Sequence, residues 1–127
     1  MNPRQISTAD CLLIRMETAR RRIALHFAEI YHLESGAFVP NVCLSIADWQ
    51  QFAGTAFRRR GPLSGDGDYA SIPFERIEPF ESVQSWQWQG STLTLAGFGK
   101  HSGSWLSYSF AHPVVRVEPQ SSGSLSL

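Results

Sequence analysis

The residues able to do chemistry are scattered along this chain, and few stand at a working interval from one another. Gly65-Asp66-Gly67-Asp68 sets two carboxylates two positions apart in a turn-forming run, as calcium loops do. Calcium takes about six to eight oxygens, and its helix-loop-helix version closes on an acid at the twelfth position. Counted from Asp66, that position is Ile77, so the run reads as a polar turn and no metal is expected. His26, His32, His101 and His112 lie at no ligand interval from another histidine or cysteine. A general base needs a partner within hydrogen-bond reach, and only the fold can bring His26, His101 or Asp48 together. Lys100-His101-Ser102-Gly103-Ser104 lacks the glycine frame of a serine elbow. Gly97, Gly99 and Gly103 do not have phosphate-loop spacing, and no helical pattern follows them. No cofactor is expected.

Charge narrows the partners. Arg20-Arg21-Arg22 and Arg58-Arg59-Arg60 are phosphate-gripping runs in principle, but the eleven basic and eleven acidic residues cancel. A zero balance argues against nucleic acid and against a membrane surface. Five acids, Asp66, Asp68, Glu75, Glu78 and Glu81, fall within one short segment. Just beyond them Trp86 and Trp88 share a parity, so both face one side of a strand. Tryptophan is enriched at the energetic centres of protein interfaces. Trp86 and Trp88 are therefore expected as docking anchors, with the five acids as a rim that meets a basic partner.

The elements that must position these residues are mostly strands. Leu12, Ile14 and Met16 alternate with polar neighbours, as do Ile23, Leu25 and Phe27. Val42, Leu44 and Ile46 repeat the pattern, followed by Leu93 with Leu95, then Leu106, Tyr108 and Phe110, then Val115 with Val117. Period two lets each strand bury one side and wet the other. Residues 11–33 also carry a helical stripe through Leu12, Met16, Ala19, Ile23, Phe27 and Ile30, but a helix would turn Ile14 and Leu25 to solvent. Two strands with a turn near residues 18–20 are expected, an N-terminal helix over 11–33 being the alternative. Residues 47–57 suit a strand or a short helical turn, 58–68 a loop, and 72–80, with two prolines, an irregular segment. The fold class is mainly β: a single antiparallel domain over 1–119, six to eight strands, curled into a sandwich or partial barrel with little helix. Residues 120–127 are expected to be a flexible Ser/Gly-rich tail.

In a chain of 127 residues, 43% apolar and 17% charged, such a domain holds a core without staples. Cys11 and Cys43 are expected buried and reduced. The first residues lack the apolar run of a signal peptide, and no stretch matches a membrane span.

Two stretches together resemble a family. The first is Asp10-Cys11-Leu12-Leu13-Ile14-Arg15-Met16-Glu17, then Arg22-Ile23-Ala24-Leu25-His26-Phe27 and the strand from Val42 to Trp49. The second is Leu93-Thr94-Leu95-Ala96-Gly97-Phe98-Gly99, then Ser104-Trp105-Leu106-Ser107-Tyr108-Ser109-Phe110 and Val115-Arg116-Val117. Their order is similar to that of the small β-rich immunity proteins of bacterial polymorphic toxin systems. The resemblance implies a cytoplasmic, non-enzymatic protein that binds one cognate toxin or effector and blocks it. Two other classes stay open: a small ligand-binding or enzymatic barrel using His26, His101 or Asp48, and a structural subunit that dimerises through an edge strand.

Overall fold

The computed structural model describes residues 1–59 and 66–120. The centre of the expected 58–68 loop and nearly all of the expected tail lie outside the described residues. Residues 11–33 form two strands, β2 (Leu13–Ala19) and β3 (Arg22–His32), with no helix between them. They are joined by the two-residue turn Arg20-Arg21, where Arg21 takes a φ of 54°. The strand alternation of β3 buries Ile23, Leu25 and Phe27 together, which a helix cannot do.

The expected apolar face of β2 needs correction. A bulge between Leu13 and Arg15 adds one unpaired residue, so the inward side passes from Leu13 to Met16. Leu12 and Ile14 therefore face solvent, 67% and 54% exposed. One extra residue in a strand exchanges the two faces beyond it.

The remaining strands are β1 (Ile6–Ser7), β4 (Ala37–Ala47), β5 (Gln51–Arg59), β6 (Gly67–Ile72), β7 (Phe80–Gln89), β8 (Thr92–Gly99), β9 (Trp105–Ala111) and β10 (Val114–Pro119). The described chain thus holds ten strands, more than the six to eight expected. The surplus comes from the brief β1, and from β6, which forms where turn residues were expected. All pairings are antiparallel and divide into two five-stranded sheets. In the first, β1 and β2 both pair with β3, which continues to β4 and β10; this sheet curls as a half-barrel. In the second the order is β6-β5-β9-β8-β7, and it packs against the first.

Two strand pairs turn the corner between the sheets side by side. β4 leaves the first sheet at Asp48 and enters the second as β5, while β9 leaves the second at His112 and enters the first as β10. Asp48 and His112 have φ of 52° and 51°. Ala47 is opposite Val114 before the corner and Gln51 opposite Ala111 after it. The Arg21 guanidinium donates to the Trp49 carbonyl and fastens the β2–β3 turn to this corner. The two inner faces meet in one core that includes Leu25, Ile30, Leu44, Ile46, Leu93, Leu106, Tyr108 and Phe110. Gly97 is required by a close approach: a Cβ there would collide with the Ser82 carbonyl, beside the second bulge of β7.

Candidate functional site

Trp86 and Trp88 do share one side of β7, and that side faces inward. Trp86 is 8% exposed and belongs to the core. Its indole N–H donates to the Pro3 carbonyl at 2.9 Å, and that of Trp88 donates to the same oxygen at 3.2 Å. The Arg4 guanidinium lies over the Trp88 ring, 4.2 Å from its centroid, and donates to the Gly90 carbonyl at 2.8 Å. The pair thus anchors the N-terminal turn of its own chain. Trp86, being enclosed, offers no surface to a partner.

The five acids do not form one cluster. β6, with Asp68 and the preceding Asp66, is one edge of its sheet, and β7, with Glu81, is the other. Four strand spacings separate those edges, roughly 19 Å. Glu75 lies in a 3₁₀ turn between them. Glu78 is committed to the fold: its Oε1 accepts the backbone N–H of His101 and of Ser102, each at 2.9 Å. Burial pushes its carboxyl up, and the hydrogen bonds from Ser102 and His101, with the His101 charge, outweigh that and hold it below the ordinary glutamate range.

The histidines are also apart. His26 lies on β3, His101 in the β8–β9 turn of the other sheet, and Asp48 at the corner, so the fold does not gather the three. On the outer face of the first sheet His26 Nε2 is 3.9 Å from Cys43 Sγ and 3.6 Å from Glu17 Oε1. This is the nearest approach to a nucleophile and base. Burial, then the Glu118 charge, pushes the Cys43 thiol up, and burial, then Arg15, pushes His26 down. Both shifts favour a neutral thiol beside a neutral imidazole, the reverse of the thiolate–imidazolium pair a cysteine nucleophile needs. Both contacts also use the same ring nitrogen, so Glu17 does not orient the imidazole from its other side. Cys11 and Cys43 are buried and free. Among the described residues no three His, Cys, Asp or Glu side chains are placed to hold a metal ion. No helix among them is long and apolar enough to cross a membrane.

The surface that stands out is the outer face of the second sheet. Cross-strand register aligns Tyr69 with Phe57, Phe57 with Trp105, and Trp105 with Phe98. Four strands thereby contribute one aromatic row. The Phe57 and Tyr69 rings meet at a tilt of 56°, 5.2 Å between centroids, and Phe98 meets Trp105 edge-on at 5.1 Å. Tyr69 is 70% and Phe98 48% exposed at the two ends of the row. The rows beside it pair only serine, threonine, alanine and glutamine, for example Ser71, Thr55, Ser107, Ala96 and Ser85. These uncharged rows lie on one side of the aromatic row; on its other side Arg59 is paired with Gly67. Asp68 precedes Tyr69 on one edge strand, and Glu81 lies in a bulge next to Ser82, the partner of Phe98, on the other.

Sequence reasoning missed this row. Phe98 and Trp105 fall on the wet parity of their strands, a visible signal, but their alignment with Phe57 and Tyr69 depends on the register of four strands. No known protein family matches the chain, and no curated protein or solved structure matches it.

Proposed function

We propose that this protein is a non-enzymatic binding module that docks a protein partner on the outer face of its second sheet. The observation that carries this reading is the exposed aromatic row, flanked on one side by rows of uncharged residues. Interface centres are depleted of charge and enriched in aromatic side chains, with polar groups at the rim. Tyr69 and Phe98 are the anchors, and Glu81 supplies the acidic rim at the β7 edge, while Asp68 at the β6 edge stands opposite Arg58. Five strands by seven residues make a face of roughly 24 Å by 24 Å. With its rim that approaches the ~800 Å² per partner of a standard interface. The partner in this proposal is a bacterial toxin or effector with a basic, groove-bearing surface, neutralised by occlusion, as the resemblance to immunity proteins suggests. Glu81 steers encounter and the aromatics hold the complex.

The test is co-expression with a toxin-like effector encoded beside this chain, together with binding kinetics on the purified pair. Wild-type protein rescues growth and binds. Tyr69→Ala with Phe98→Ala weakens binding about 100-fold, mostly through faster dissociation. Glu81→Gln slows association at low salt and has little effect at high salt. Full rescue and unchanged affinity in the double variant refute the aromatic face. Concentration-dependent self-association lost in that variant assigns the face to a second copy of this chain and refutes the toxin reading.

A further inference from the structure

The fold brings a fourth arginine to the 20–22 run. On the outer face of the first sheet, β3 and β10 flank β4. Register sets Arg22, Ala47 and Val114 in one row and Ala24, Ser45 and Arg116 in the next. Arg22 and Arg116 thus rise on either side of β4, roughly 10 Å apart across the sheet. Between them Ser45 and Ala47 form a floor too low to fill the gap, and Arg20 stands at the turn. The result is an open groove of about 320 Å³.

Two observations separate it from an ordinary solvated patch. Arg20, Arg22 and Arg116 are exposed and make no ion pair or hydrogen bond among the described residues, whereas Arg15 pairs with Glu17 and Arg21 is held by Trp49. Ser45 is only 5% exposed, yet its hydroxyl has no partner among the described residues. The hydroxyl is not sealed from solvent, the buried side-chain oxygen without a partner among the described residues being that of Thr8, and it opens on the groove, free to donate. Asp48 and Glu118 also line it, and neither lies within ion-pair distance of these arginines.

We infer that this groove binds the phosphate of a small phosphate monoester. Arg22 and Arg116 grip the oxyanion from two sides, Ser45 donates to it from the floor, and Arg20 closes the mouth. Planar guanidinium donors match phosphate oxygens and do so without losing their charge. The volume is at the low end for ligand sites, enough for a phosphate on a short carbon chain. Glu17 and Glu118 on the same face oppose a polyanionic strand lying along it. The site is on the opposite sheet from the aromatic row and does not depend on it.

The experiment is a titration of the ¹⁵N-labelled full chain with inorganic phosphate, glycerol 3-phosphate and a short oligothymidylate, each at fixed ionic strength. Saturable shifts centred on the Ser45, Arg22 and Arg116 amides are expected with both small phosphates. Tighter binding of glycerol 3-phosphate identifies the ester as the source, and equal binding identifies free phosphate. Arg22→Gln and Arg116→Gln each weaken binding about tenfold, Ser45→Ala weakens it several-fold, and Arg15→Gln, at the far end of the same face, leaves it unchanged. Absence of saturable shifts, or binding indifferent to Arg116→Gln, overturns the inference. Tighter oligothymidylate binding with shifts spreading to Arg15 and His26 overturns it in favour of a nucleic-acid surface.

Discussion

Tyr108→Phe isolates the contact that ties the segment crossing the second sheet to the sheet itself. Tyr108 is fully buried on β9, and its ring packs 5.0 Å from Phe80 and 5.8 Å from Phe52 between centroids. Its hydroxyl donates to the Glu78 carbonyl at 3.1 Å and accepts the Glu78 N–H at 3.2 Å. Phenylalanine keeps the packing and removes both bonds, leaving one backbone donor and one acceptor without partners. Each orphaned buried group costs about 1–3 kcal/mol. Glu78 is half-buried, so water reaches part of it and the low end applies to each. The expected loss is about 2 kcal/mol, or roughly 8 °C in Tm at ~4 °C per kcal/mol for a domain of this size. Urea unfolding with an unchanged slope measures it. Tyr69→Phe, at an exposed tyrosine, is the control and costs under about 0.5 kcal/mol. Burial pushes the Tyr108 phenol up to about 12, against the pull of the Glu78 backbone hydrogen bond and with the Glu78 charge adding to it. A tyrosine in the unfolded chain ionises near 10. The folded value is therefore the raised one, and the contribution is intact below pH 10 and lost as pH rises toward 12. Wild-type stability falls across that window, and the Phe variant lacks that component of the fall. A loss no larger than that of Tyr69→Phe, with the same alkaline profile as wild type, refutes the reasoning.

Gly97→Ala forces the β8 backbone away from the Ser82 carbonyl and is expected to cost at least about 2 kcal/mol in urea unfolding. Gly90→Ala, at an open turn position with a φ of 60°, is expected to cost about 1 kcal/mol. The Glu78 carboxyl is held below its ordinary value of 4.5, so its contribution is present above that pH and lost as pH falls through the folded value. Glu78→Gln is expected to flatten the acid limb of the stability profile. It is also expected to speed hydrogen exchange at the His101 and Ser102 amides, whose hydrogen bonds to a charged acceptor it weakens.

Strand identity was legible because period two is a local property. Leu25 between Ala24 and His26, or Tyr108 between Ser107 and Ser109, reports its own face without reference to any partner. The β2 face was misjudged because a bulge at residues 13–15 leaves no composition signal in Leu12-Leu13-Ile14. Trp86 and Trp88 were correctly placed on one side of one strand. That Pro3 and Arg4 cover them depends on the chain end folding back across more than eighty residues, which no local pattern records. The acidic set was contiguous in sequence and divided in space, because β6 and β7 are opposite edges of one sheet.

Sequence alone pointed to the antiparallel β class, to buried cysteines and to the lack of a metal-ligand interval, and it favoured two strands over residues 11–33 while leaving a helix open, which the structure decided. Each follows from residue types and spacings within a few positions. Tertiary structure alone decided the aromatic row from Tyr69 to Phe98 and the groove between Arg22 and Arg116. Both are rows across strands, and a row exists only once pairing partners and register are set. Those are set by the competition of the ten described strands for one shared core.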